Sequence, residues 1–144
     1  MNGERFLPII NKQECCKIWF KDIIYMEAEA RLVHIVTRLG SFYDYAKLRD
    51  MEAYFADEPR FCSVMKGLIV NLDQVDRMYD QMICFSNGTE YPVGRTNFLK
   101  IKQVYINYLR QFQLQKGCKI RVVAATENLA RMQENACIFL YICI

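Results

Sequence analysis

A single histidine, His34, is the entire imidazole complement of this 144-residue chain. No serine or cysteine lies in a recognisable nucleophilic setting around it, so acid–base and covalent catalysis have no constellation to work with. Nucleotide chemistry is equally unsupported, because neither a G-x-x-x-x-G-K-[ST] phosphate loop nor a G-x-G-x-x-G turn occurs. Glu27 and Glu29 are two carboxylates near one strand end and read as rim charges. No apolar run approaches the roughly 20 residues that a membrane-spanning helix needs, and no charged-then-apolar leader opens the chain. Repeats and low-complexity tracts are also missing. The expectation is a non-enzyme with no cofactor, no small-molecule substrate and no transmembrane segment.

Cysteine is plentiful but unpatterned. Seven are present, at 15, 16, 62, 84, 118, 137 and 143. An odd count without C-x-x-C spacing argues against a disulfide framework and against a structural zinc site, so no metal is expected. A reducing cytoplasm suits such thiols, which are expected to serve mostly as small core hydrophobes.

With 53% hydrophobic and 24% charged residues, the chain can bury a real core. Its net charge of +3 names no partner, but its distribution is informative. No acid lies between Tyr91 and Thr126, a window holding Arg95, Lys100, Lys102, Arg110, Lys116, Lys119 and Arg121. Acids concentrate earlier, from Asp22 to Asp80, giving the chain a basic end and an acidic end.

Short strands dominate the first half. Residues 5–10 and 17–20 flank a turn at Asn11–Glu14. Residues 22–27 are rich in β-branched and aromatic side chains, and 33–37 alternate, with Val33 and Ile35 on one face and His34 on the other. Connections this short leave room only for antiparallel pairing. Leu48, Met51 and Phe55 predict a helix that cannot pass Glu58-Pro59. Strands at 61–64 and 68–70 bracket Met65-Lys66-Gly67, and 78–79 and 82–85 continue the β pattern. Asn87-Gly88 predicts a type I′ hairpin turn. A second helix is expected from Thr96, with Phe98, Ile101, Tyr105, Tyr108 and Phe112 as its apolar stripe. Tyr25, Phe55, Phe61, Phe85 and Phe98 are the expected aromatic core. Further on, 119–123 reads as a strand, 126–132 as a short helix, and 137–144 as eight residues without a charge. Such a segment needs a sheet, a partner or a membrane surface to cover it.

Six segments in this order resemble the LytTR family of bacterial DNA-binding domains. They are Asp22-Ile-Ile-Tyr-Met-Glu27, Val33-His-Ile-Val-Thr37, Leu48–Phe55, Phe61–Asn71, Leu72–Val75 and Gly88–Arg95, and the match spans roughly 5–112. The resemblance implies a mainly β fold with short helices, its elongated antiparallel sheets sending loops into successive major grooves. It further implies a cytoplasmic transcriptional regulator of double-stranded DNA, with a homodimer on repeated half-sites as a plausible arrangement. No receiver domain fits before the match, so a stand-alone regulator or a fragment is expected, with 1–115 as the DNA-binding domain and 116–144 as an extension.

Carried over residue by residue, the family pattern puts the base-reading arginine at Arg95, whose fork can grip guanine bidentately. Met65-Lys66-Gly67 falls where the family has His, a polar or basic residue and Ser. A positive charge is kept while the imidazole and hydroxyl are lost, which favours phosphate anchoring over base readout. Arg31 and His34 border the first DNA-facing loop. Thr96, Asn97 and Lys100 match the backbone-contacting start of the second helix, and Asn71 is read as structural. The alternative is a protein-interaction module on a LytTR-like scaffold that has lost base readout, using the apolar end for assembly.

Overall fold

The chain is described here from a computed structural model over residues 4–116. Strands β1 (Phe6–Ile10) and β2 (Cys15–Trp19) form a two-stranded antiparallel sheet. The Asn11 carboxamide closes their turn by accepting from the N–H groups of Gln13 and Glu14. A five-stranded sheet follows, built from β3 (Ile23–Glu29), β4 (Leu32–Thr37), β5 (Gly40–Asp44), β6 (Phe61–Met65) and β7 (Leu68–Asn71). Its order is β5-β4-β3-β7-β6, with every pairing antiparallel. β8 (Val75–Tyr79), β9 (Met82–Phe85) and β10 (Glu90–Pro92) make a three-stranded sheet. Helix α1 (Leu48–Met51) is one turn continued as 3₁₀ over Glu52–Phe55, and α2 runs from Arg95 to Lys116. The mainly β, antiparallel fold with two helices is the one expected.

Each face of the five-stranded sheet has its own cover. Met26, Val33, Ile35 and Ile69 pack with Leu7, Ile9 and Ile18 of the β1–β2 sheet and with Leu48 and Met51 of α1. Phe20 anchors this side, its ring 4.8 Å from Phe55 and 5.5 Å from Phe61. Across the sheet, Tyr25 meets Phe85 at 5.2 Å and Tyr91 at 5.4 Å. The register of β3 shifts between Ile23 and Tyr25, and the extra residue lets Ile23, Ile24, Tyr25 and Met26 all be buried. The expected core aromatics are buried, apart from Phe61, which is half-buried at the core margin.

The chain divides into units 1–105 and 106–144. In the first, Phe98, Ile101 and Tyr105 bury the apolar stripe of α2. The second is described only to Lys116, where the rings of Tyr108 and Phe112 meet edge to face at 5.1 Å. The expected elements at 119–123, 126–132 and 137–144 lie outside the described residues.

Two expectations need correction. Asn87-Gly88 is not a type I′ turn, because only Gly88 has a left-handed backbone (φ +91°). The β9–β10 loop is longer than two residues: Gly88 N–H donates to Phe85 O and Phe85 N–H to Thr89 O, both at 2.9 Å. Glycine thus takes the bulge position after an ordinary turn. The hairpin with two left-handed residues is β8–β9, where Asp80 (φ 50°) and Gln81 (φ 59°) supply them without any glycine. The cysteines are the second case. Cys15 is exposed and Cys16, Cys62 and Cys84 are half-buried, so none of the four described thiols is a fully buried core residue. Cys15 and Cys16 sit on a two-stranded sheet with only one covered face, and Cys62 lies on the edge strand β6.

Buried polar bonds tie these layers together. The fully buried Asn71 amide donates to Phe20 O (3.4 Å) and Ile23 O (2.8 Å), while its Oδ1 accepts from Asp73 N–H. Asn71→Ala should cost about 2–3 kcal/mol, since buried carbonyls lose their donors, and urea unfolding would measure it. Asn71→Asp should fare no better, because a carboxylate cannot donate. Tyr105 Oη donates to Val75 O at 2.7 Å, and burial pushes its hydroxyl up to about 12 from 10.0. That contribution is complete below about pH 10 and is lost as pH rises through 12. Tyr105→Phe should therefore unfold about 1 kcal/mol more easily at neutral pH and lose less stability on going alkaline. An identical alkaline slope in the variant would refute the assignment.

Candidate nucleic-acid interface

Two tight turns come together at one end of the five-stranded sheet. β3 and β7 run antiparallel with Glu27 opposite Leu68, and Ala28 N–H donates to Gly67 O at 2.9 Å. This aligns the β3–β4 turn (Ala30-Arg31) with the β6–β7 turn (Lys66-Gly67). Ala30 (φ 55°) and Gly67 (φ +90°) supply the left-handed backbone each turn needs. At Gly67 a side chain would be strained by its backbone, although an added Cβ would only touch Ala28 at 3.6 Å.

Beside these turns lies a hollow of about 810 Å³, lined by Arg31, Lys66 and Gly67 together with Tyr45, Lys47 and Arg49 from the β5–α1 connection and α1. Ala28, Leu32, Ala46 and Leu48 also line it. The start of α2 adjoins the β6–β7 hairpin, where Asn97 Nδ2 lies 3.8 Å from Met65 Sδ. Arg95, Thr96 and Lys100 are exposed, and no acid occupies the first turn of α2. Free backbone N–H groups and unopposed cations therefore occur together at that helix start.

Charge pairing separates two populations of arginine. Arg5 binds Asp57 and Glu58, Arg38 binds Asp22, and Arg60 binds Glu4, Glu58 and Asp73. These tie loops to the scaffold. Among the described residues, Arg31, Lys47, Arg49, Lys66, Arg95 and Lys100 are in no such ion pair, and Arg95 does not bridge to Glu90.

His34 is placed differently. It points away from the core that Val33 and Ile35 join and does not line the hollow. Its ring stacks on Tyr43, centroids 4.5 Å apart and planes 5° from parallel, and its Nδ1 lies 3.2 Å from Glu29 Oε2. Its Nε2 is buried and has no hydrogen-bond partner among the described residues. Tyr91 donates to Glu27; burial first, then Glu27, holds that hydroxyl protonated far into the alkaline range. Glu27, Glu29 and His34 offer ligand atoms within 4.8 Å of one another, the one such group among the described residues that could bracket a cation. Hydrogen bonds already engage all three side chains.

Arg31, Lys66 and Gly67 thus share one hollow. Asn97 contacts Met65, next to Lys66, with Arg95 and Thr96 immediately before it in the chain, and Lys100 lies further along α2. Tyr45, Lys47 and Arg49 were not among the residues expected from the sequence to face a ligand, and all three are exposed on this hollow. The usable signal was two cations flanking Leu48 directly after a strand.

The comparisons with known proteins agree with this architecture. A family model described as the LytTr DNA-binding domain matches residues 13–106. Among solved structures, the chain is similar to the LytTr DNA-binding domain assigned to a methyl-accepting/DNA response regulator from Bacillus cereus. The TM-score is 0.60 at 16% identity, over 71% of this chain and 97% of that one. No curated protein matches. With the family model covering well over half its length and the same fold recurring in the solved domain, the chain belongs to the LytTR family of DNA-binding domains.

Proposed function

We propose that the chain is a sequence-specific double-stranded DNA-binding regulator of transcription, reading successive major grooves with loops rather than with a recognition helix. The observation that carries this is the gathering of unpaired cations on the β3–β4 turn, the β6–β7 turn and the start of α2 in a LytTR domain. Scaffold arginines are neutralised while these stay open to a polyanion.

In this reading Arg95 grips guanine O6 and N7 bidentately. Lys66 anchors phosphate, and Gly67 lets the backbone of the turn come close to the duplex. Arg31 supplies a cation from the first turn, and Thr96, Asn97 and Lys100 hold backbone phosphates along the helix start. His34 acts indirectly: its bond to Glu29, just before the β3–β4 turn, makes it a positioning residue for Arg31. Residues 1–115 carry the activity, and two copies on repeated half-sites extend the contact along the duplex.

Selection from a random duplex library should return one enriched motif, whose preference over scrambled DNA persists when salt is raised. Absence of any motif would overturn sequence readout. Arg95→Ala should cost about 1–3 kcal/mol on that motif and relax one base position, and Arg95→Lys should not restore it. Lys66→Ala should weaken motif and scrambled duplexes alike and reduce the salt slope by about 1. Fluorescence anisotropy titrations would measure both.

A further inference from the structure

We propose that the hollow beside α1 seats a stretch of DNA sugar–phosphate backbone, with Lys47 and Arg49 gripping it opposite Arg31 and Lys66. This rests on the DNA-binding reading above and extends its footprint to a segment that the family resemblance did not mark.

Charge is the first support. The lining carries four cations, Arg31, Lys47, Arg49 and Lys66, against two acids, Asp50 and Glu52. None of the four cations is in an ion pair among the described residues, and all are exposed. An excess of unneutralised charge around one concavity draws a polyanion rather than a neutral ligand.

Rigidity is the second. Leu48 and Met51 are 7% and 4% exposed, so the single turn of α1 is pinned to the core on either side of Arg49. Lys47 O accepts from the N–H groups of Asp50 and Met51, which fixes the backbone at Lys47 as well. Both cations therefore stand on an ordered base, and little backbone ordering remains to be done on binding.

The uncharged part of the lining is the third. Ala28, Ala30, Ala46 and Gly67 are small and leave room for close approach, and Leu32 adds apolar surface. A deoxyribose presents an apolar ring between two charged groups, which suits a lining that mixes small and apolar residues with cations. Continuity points the same way, since Arg31, Lys66 and Gly67 belong both to this hollow and to the proposed groove-reading turns.

The test uses the full chain carrying Lys47→Ala and Arg49→Ala together, titrated against the selected duplex and a scrambled one over several salt concentrations. The slope of log K against log salt should become shallower by about 1–2, with both duplexes weakened alike and the selected motif unchanged. A Lys47→Arg, Arg49→Lys chain should keep the wild-type slope. Phosphate ethylation interference supplies an independent readout: the wild type should show blocked positions that disappear in the double alanine variant, whose thermal unfolding should match wild type. An unchanged slope, or a loss confined to the selected motif, overturns the seat while leaving the regulator reading intact. A wild-type chain that binds no duplex overturns both.

Discussion

The register of β3 between β4 and β7 is the constraint on which the rest depends. β3 is the middle strand of five, covered on one face by the β1–β2 sheet and α1 and on the other by Phe85 and Tyr91. A slip of one residue would exchange Met26 for Tyr25 and expose a row of apolar side chains to the wrong layer. Burial on both faces therefore specifies the pairing strongly. Asn71 adds a polar lock at the far end, joining the last residue of β7 to the carbonyl of Ile23, the first of β3. With that end held, the β3–β4 and β6–β7 turns must emerge together at the other.

Electrostatics divides the surface by role. Arginines in carboxylate pairs link distant parts of the chain, as Arg5, just before β1, reaches the loop after the 3₁₀ turn through Asp57 and Glu58. Exposed pairs of this kind add little stability individually. Their larger consequence is that Arg5, Arg38 and Arg60 are already neutralised, whereas the cations around the hollow and the start of α2 are in no ion pair among the described residues. Separate cationic and acidic neighbourhoods also persist within the domain: Glu27 and Glu29 gather around His34 and Tyr91, away from the hollow. The hollow beside the turns thus carries an excess of positive charge, four cations against Asp50 and Glu52, without a large net charge on the molecule.

Local chemistry made much of the fold legible. The Asn11 turn, the apolar spacing of Leu48, Met51 and Phe55, and the alternation about Val33 and Ile35 each depend on neighbours in sequence, and each appears as expected. Illegible features depend on partners far away. Asp80-Gln81 adopts a left-handed pair with no glycine because the pairing of β8 with β9 demands it. Asn87-Gly88 yields to a longer loop because Cys84 pairs with Glu90. Cys15, Cys16 and Cys62 fall outside the fully buried core because they lie on a two-stranded sheet or an edge strand. Cys84, on the central strand β9, alternates with the buried Ile83 and Phe85, and composition cannot specify either placement.

The sequence by itself determined the element order, the antiparallel character, the family and the residue types suited to DNA, because strand period, turn chemistry and motif order are local. Only the tertiary structure decided which cations stay free and which are spent on the scaffold. Arg31, Arg38 and Arg60 look equivalent along the chain, yet packing brings carboxylates to the last two and leaves the first beside Lys47, Arg49 and Lys66. It also turned His34 onto Tyr43 and Glu29. Whether a charge is available for a ligand is set by what folding carries next to it, and that is a property of long-range contacts.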